Sequence, residues 1–226
     1  PQRFIHVTVT SYLNCTMKED KVIETKEDAD RELWNKPYVA FLDVLGFREL
    51  VKNNTHQELV EIYKRLVNFQ VEFYEHYHSE KERHNKEKFG EYFEPTGLRL
   101  VNISDSILLW TKDSKESSLL EIANAVKFLM STSISIGIPL RGAIVKGDIE
   151  ILEKEKSMSI VGIGLVKAYE TEGKQDWAGC TISDGIFSYL RSVKNVILNQ
   201  EGPHRFEKLI SLFVETEVPF KDKKRK

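Results

Sequence analysis

Tyr38-Val39-Ala40-Phe41-Leu42-Asp43-Val44-Leu45-Gly46-Phe47-Arg48-Glu49-Leu50 is an apolar run broken by one carboxylate and followed by a Gly-Phe pair. A buried strand tolerates a lone Asp only when something compensates its charge, and a divalent cation is one such compensator. The Gly turn leads towards a helix, whose first backbone N–H groups lack partners and can meet phosphate oxygens. The stretch therefore reads as a metal–phosphate site. The same residues also fit a plain strand end in which Asp43 caps the next helix.

A second stretch bears on that choice. Leu98-Arg99-Leu100-Val101-Asn102-Ile103-Ser104-Asp105-Ser106-Ile107-Leu108-Leu109-Trp110 places two apolar segments around Ser-Asp-Ser, the pattern of a hairpin with a carboxylate at its tip. Two carboxylates from neighbouring strands can hold two divalent ions on a triphosphate.

Taken together, these residues resemble the class III nucleotidyl cyclase catalytic domain. That family carries Phe-x-Asp-(Ile/Val)-x-Gly-Phe on its first strand, matched by Phe41-Leu42-Asp43-Val44-Leu45-Gly46-Phe47, and Gly-Asp at the hairpin tip, where this chain has Ser104-Asp105. The likeness extends from about Lys36 to about Leu190, leaving 1–35 as an N-terminal arm or linker and 36–226 as the catalytic domain. It implies an α+β fold: a ferredoxin-like palm with a mixed, mainly antiparallel sheet and flanking helices.

Composition is compatible with this. The chain has 226 residues, 41% hydrophobic and 30% charged, enough for one substantial core. A formal net charge of −2 argues against a nucleic-acid-coating surface. The basic end, Lys221-Asp222-Lys223-Lys224-Arg225-Lys226, reads as a solvated tail. Cys15 and Cys180 lie far apart without CxxC spacing, which points to a reducing, cytoplasmic compartment and to neither a disulfide framework nor a zinc site. No apolar run is long enough to span a membrane.

Along the chain, Phe4 to Thr10 is β-rich and reads as an extra strand or an arm that pairs with another subunit. Thr55-His56-Gln57-Glu58 has capping-box spacing, and Leu59, Ile62, Leu66, Phe69, Phe73 and Tyr77 follow at helical spacing as a core or dimer stripe. His76, His78 and His84 read as a solvated helix end. Ser118-x-x-Glu121 predicts the start of a second amphipathic helix. Leu140 to Ile149 predicts a strand, a Gly turn and a return strand. Ser183 is a candidate N-cap for the last helix of the palm, and residues 205–220 suit a helix or a strand equally. The predicted order opens as βαββαβ. Diguanylate synthases share that arrangement, but they would show Gly-Gly-Asp/Glu-Glu-Phe where Ile103-Ser104-Asp105-Ser106 stands.

The resemblance implies a reaction and a set of residues. The ribose 3′-hydroxyl of a nucleoside triphosphate attacks its own α-phosphate, giving the 3′,5′-cyclic monophosphate and pyrophosphate. Asp43 and Asp105 would hold two divalent cations, Mg²⁺ or Mn²⁺, with the Val44 carbonyl completing a shell and backbone N–H groups of Leu45, Gly46 and Phe47 on the phosphates. Arg99 falls at the base-selecting position and Ser159 at its partner's. A guanidinium donating two hydrogen bonds suits a uracil or guanine oxygen better than an adenine amino group. Family members work as homodimers with sites at the subunit interface, and Arg141 and Lys167 are the candidates to reach across to phosphate.

The departures from the family are equally specific. Its transition-state Asn and Arg fall at Val166 and Glu170, neither of which stabilises a phosphorane, while a one-residue slip brings Lys167 to the Asn position. This pattern is most similar to the divergent uridylate and cytidylate cyclases of bacterial anti-phage defence (Pycsar), which implies UTP or CTP as substrate and a downstream cyclic-nucleotide effector. The alternatives are a catalytically silent, nucleotide-binding cyclase-like domain and an adenylate cyclase.

Overall fold

The computed structural model describes residues 7–9, 35–68, 71–72, 75, 97–154, 157–198, 207–216, 218–219 and 221. The elements are β1 (Val7–Val9), β2 (Tyr38–Val44), α1 (Phe47–Asn53), α2 (residues 56–68), β3 (Arg99–Ile103), β4 (Ser106–Trp110) and α3 (Glu116–Ser135). They continue with β5 (Leu140–Lys146), β6 (Glu150–Lys154), β7 (Ser157–Val161), α4 (Ile163–Gly173), β8 (Cys180–Ile182), α5 (Asp184–Leu198), α6 (Glu207–Ile210) and β9 (Phe213–Glu215).

The main sheet has five strands in the order β3-β4-β2-β5-β8, antiparallel throughout except where β8 runs parallel to β5. If β2 to β5 are counted as the four strands of a βαββαβ unit, they lie in the spatial order second, third, first, fourth. This is the ferredoxin-like palm, so the expected fold class holds.

Side-chain alternation along β2 divides the core between the two faces. Tyr38, Ala40, Leu42 and Val44 face the larger cluster, with Ile107, Leu109, Leu140 and Ile144 of neighbouring strands and Leu119, Ile122, Val126 and Leu129 of α3. Leu66 of α2 and Ile186 and Leu190 of α5 complete it. Val39 on the opposite face packs with Leu108, Trp110, Val145 and Ala168 of α4. Asp43, in register with Val39 and Phe41, falls on this second face at the end of the strand.

Helix α4 is seated by a close backbone approach. A Cβ on Gly147 would lie 2.5 Å from the Gly164 Cα, and one on Gly164 would lie 2.8 Å from the Gly147 carbonyl oxygen. Only a glycine pair brings the first turn of α4 this near the end of β5.

Several local expectations hold. The capping box at α2 forms reciprocally: the Thr55 N–H donates to Glu58 Oε2 at 2.8 Å and the Glu58 N–H to Thr55 Oγ1 at 3.3 Å. Helix α5 begins directly after Ser183, whose carbonyl accepts the Phe187 N–H at 2.9 Å. Residues 205–220 supply both alternatives, a single helical turn in α6 and a short strand in β9. Phe4 to Thr10 contributes β1, which pairs in parallel with β9 of the same chain.

Two expectations are corrected. Helix α3 starts at Glu116, before the Ser118 box, because Asp113 Oδ1 accepts both the Lys115 N–H and the Ser118 hydroxyl, while Glu121 is buried one turn on. The segment after Gly147 does not return along β5. It forms a separate two-stranded ribbon with β7, since both neighbours of β5 in the sheet are already β2 and β8. The His76, His78 and His84 segment, Phe69, Phe73 and Tyr77 of the predicted stripe, and residues 10–34 of the arm, Cys15 among them, lie outside the described residues.

Candidate active site

The site forms where β2, the β3–β4 hairpin and the start of α1 meet. Asp43 stands opposite Ser106 on β4 and opposite Arg141 on β5. The hairpin loop is Ser104–Asp105, closed by the pairing of Ile103 with Ser106. Ser104 takes a left-handed φ of 56° at the first loop position, where hairpins favour Gly. The Asp105 carbonyl accepts the Val44 N–H at 3.0 Å, which ties the loop to the residue after Asp43. Although about sixty positions apart in sequence, the carboxylates are thereby brought to one end of the sheet.

Asp43 does not cap α1. The N-cap is Gly46, in the left-handed region at φ 74°, with no side-chain cap on the helix. The Asp43 carboxylate instead receives the Ser106 hydroxyl at 3.3 Å. Burial, then the charges of Glu172 and Asp105, push its pKa up to about 6 against the opposing effects of Ser106 and Arg141. An acid so raised is one whose negative charge lacks compensation.

The arrangement fits a divalent cation. Among the described residues no cluster of three or more His, Cys, Asp or Glu side chains could hold a metal by itself. The pair matches the way Mg²⁺ is bound, through one or two carboxylates with the remaining ligands from water and phosphate. The burial and the neighbouring negative charge that raise the Asp43 pKa are what such an ion would offset.

Of the expected phosphate donors, Leu45 is already engaged, its N–H donating to the Pro139 carbonyl at 2.9 Å. Gly46 and Phe47 lie at the start of α1. A cleft of about 270 Å³ adjoins them, lined by Val44, Leu45, Gly46, Leu50, Asn53 and Pro139 among others.

The other expected residues are placed elsewhere. Arg141 turns inward: its Nε pairs with Glu172 Oε1 and its Nη1 donates to the Gln175 carbonyl at 3.2 Å. Within its own chain it thus lies beside Asp43, on the strand that pairs with β2. Arg99 is exposed at the far end of β3, opposite Trp110, four register steps from the hairpin loop, or about 13 Å at strand rise. Ser159 is exposed on β7 opposite Leu152. Lys167 is exposed on α4, as are Val166 and Glu170. The chain alone therefore gathers Asp43, Val44, Asp105, Gly46 and Phe47, and leaves Arg99, Ser159 and Lys167 outside that group.

Three residues join the site that sequence reasoning did not assign to it. Glu172 closes on Arg141, and Gln175 buttresses both by donating to the Gly142 carbonyl at 2.8 Å. Tyr63, on α2, comes close enough for Asp105 and Asp43 to act on its phenol. Its only signal in the sequence is a large polar-tipped residue beside the apolar stripe at Ile62 and Leu66.

No protein-family model and no curated protein matches the chain. Solved structures similar to it include the guanylyl cyclase domain of the RhoGC fusion protein from the aquatic fungus Blastocladiella emersonii, described as a non-canonical dimer. It is 15% identical over 70% of this chain and 85% of that one, with a TM-score of 0.46. Another is the guanylyl cyclase Cya2, 15% identical over 61% of this chain and 70% of that one, with a TM-score of 0.41.

Proposed function

We propose that the chain is a metal-dependent nucleotidyl cyclase that converts a nucleoside triphosphate, UTP or CTP, into its 3′,5′-cyclic monophosphate and pyrophosphate. The observation that carries this reading is the meeting of Asp43, on β2, with Asp105, in the loop of the adjoining β3–β4 hairpin, joined through the Val44 N–H to Asp105 carbonyl bond of 3.0 Å. Two bound cations, Mg²⁺ or Mn²⁺, would lower the pKa of the attacking hydroxyl and offset charge on the phosphates. Asp43 and Asp105 hold them, with the Val44 carbonyl as a further ligand. Gly46 and Phe47 offer backbone N–H groups to phosphate oxygens, while Arg99 reads a carbonyl oxygen of the base, with Ser159 as its partner. Because attack is intramolecular, orientation supplies much of the rate.

In this reading the enzyme is a homodimer. Leu152 and Val161, which share one side of the β6–β7 ribbon, and Ile163, Val166 and Tyr169 of α4 are each at least 48% exposed, apolar surface of the kind that a second copy covers. Lys167 lies on the same helix and would reach the partner's phosphates; Arg99 would likewise serve the partner's nucleotide. The product would act as a cytoplasmic messenger in anti-phage defence through a separate effector. No helix among the described residues is long and apolar enough to cross a membrane.

The test is incubation with each of ATP, GTP, CTP and UTP plus Mn²⁺, with products identified by mass spectrometry. Cyclic UMP or cyclic CMP is expected, lost in Asp43→Ala and Asp105→Ala. Cyclic AMP alone would make the chain an adenylate cyclase.

A second reading, a silent nucleotide-binding domain, is favoured by one observation: Val166 and Glu170 occupy the exposed face of α4 where the resemblance expects Asn and Arg. Metal-dependent nucleotide binding by calorimetry without product from any substrate would select it.

A further inference from the structure

Tyr63 sits on α2 between Ile62 and Leu66, both of which pack into the larger core. One position off that stripe, its ring is turned aside onto Phe47, the first residue of α1, edge-on with centroids 6.0 Å apart and planes at 73°. The ring is thus fixed at the turn that follows Asp43. Its hydroxyl is buried and makes no hydrogen bond among the described residues. A buried donor without a partner is rare in folded proteins, and each one calls for an explanation.

The surroundings of the hydroxyl supply that explanation. The ring lies against Phe47 at the turn after Asp43, and the charges of Asp105 and Asp43 act on its phenol, whose hydroxyl is a donor. Yet it donates to neither carboxylate. The carboxylates accept and attract cations, whereas the phenol donates. One kind of ligand satisfies both: a cation against the carboxylates, carrying an oxygen atom that accepts from the phenol.

We propose that Tyr63 donates its hydroxyl hydrogen bond to an oxygen atom bound to the divalent cation held by Asp43 and Asp105. That oxygen belongs to a phosphate when nucleotide is present and to water otherwise. This rests on the metal–nucleotide reading above, and adds to it a donor from α2 that fixes the ligand relative to the sheet. The orphan hydroxyl is then a cost that ligand binding relieves.

Tyr63→Phe removes the hydroxyl and keeps the ring on Phe47. Mn²⁺ alone, and Mn²⁺ with the α,β-methylene analogues of UTP and CTP, are titrated calorimetrically into wild type, Tyr63→Phe and Asp43→Ala, and the metal-free melting temperature of each is recorded. Tyr63→Phe is expected to bind the Mn²⁺–analogue complex about tenfold or more weakly, as loss of one hydrogen bond to a charged ligand gives. Its metal-free melting temperature should match or exceed that of wild type. Weakening confined to the analogue identifies a phosphate oxygen; weakening with Mn²⁺ alone as well identifies a bound water. Unchanged affinities in Tyr63→Phe, with Mn²⁺ binding lost in Asp43→Ala, overturn the Tyr63 assignment and leave the metal site standing. A lower melting temperature with unchanged affinity makes the hydroxyl structural and also overturns it. Mn²⁺ affinity that is absent in wild type or indifferent to Asp43→Ala overturns the metal reading and this inference together.

Discussion

Arg141 lies directly across the strand from Asp43, yet its guanidinium pairs with Glu172. The side chains of that pair are 12% and 4% exposed, so two charges are held almost out of water immediately behind the candidate metal site. The guanidinium is committed to Glu172 and to the Gln175 carbonyl, and Asp43 is left with a serine hydroxyl and excess negative charge nearby. A site arranged this way has a standing demand for a cation.

That demand has a pH signature. The folded Asp43 pKa is raised to about 6 from 3.8, so the folded chain binds its proton more tightly than the unfolded chain does. The stability this provides is complete below about pH 4 and is lost as pH rises through about 6. At full strength such a shift is worth about 3 kcal/mol; at a half-exposed carboxylate, solvent screening leaves about 1 kcal/mol. Metal-free Asp43→Asn should therefore melt higher than wild type at pH 7.5, by about 2–4 °C for a chain of this size. The gain should vanish near pH 4. Millimolar Mg²⁺ should raise the wild-type melting temperature above pH 6 and leave Asp43→Asn unmoved, which differential scanning fluorimetry reads directly.

Glu172 tests the buried pair. Glu172→Ala strands Arg141 without its counter-charge and is expected to cost about 3 kcal/mol in urea denaturation, the loss typical of a broken buried pair. Glu172→Gln keeps the shape and removes one of the charges that raise the Asp43 pKa. In that variant the pH midpoint for Mn²⁺ binding should move downwards.

Ser104 tests the hairpin. Its φ of 56° suits Gly or a small polar residue and excludes a β-branched one. Ser104→Val should cost about 1–2 kcal/mol and weaken Mn²⁺ binding by displacing Asp105. Ser104→Gly should keep both properties near wild type, because the relief of strain is offset by a more flexible unfolded chain.

The seat of α4 can be tested at Gly164. A Cβ there meets the Gly147 carbonyl oxygen at 2.8 Å and Val39 Cγ2 at 2.8 Å. Gly164→Ala must shift the helix or the strand end, at a cost of about 1–3 kcal/mol. Because Glu172 is on the same helix, the variant should also bind Mn²⁺ with an altered pH midpoint. Gly173→Ala, which meets nothing within 4 Å, is the control.

The features that the sequence by itself determined are those encoded by near neighbours in the chain. Alternation along Tyr38–Val44 marks a central strand, Ser104-Asp105 between two apolar runs marks a hairpin tip, and Thr55 with Glu58 marks a helix start. Each depends on backbone geometry over a few residues, and with the order of elements they suffice for the palm and for Asp43 beside Asp105. Tertiary structure alone decided the rest. Whether Arg141 projects or turns inward depends on Glu172, which arrives on α4 from another part of the chain. Ser118 loses its role as the helix start to Asp113, which reaches both Lys115 and Ser118 first. The strand after Gly147 finds both edges of β5 occupied and pairs with β7 instead. Tyr63 meets Phe47 and comes under the charges of Asp105 and Asp43 only when α2 packs its stripe into the core. Hydrophobic burial sets those meetings, and burial is a property of the whole fold, which no local pattern of residues records.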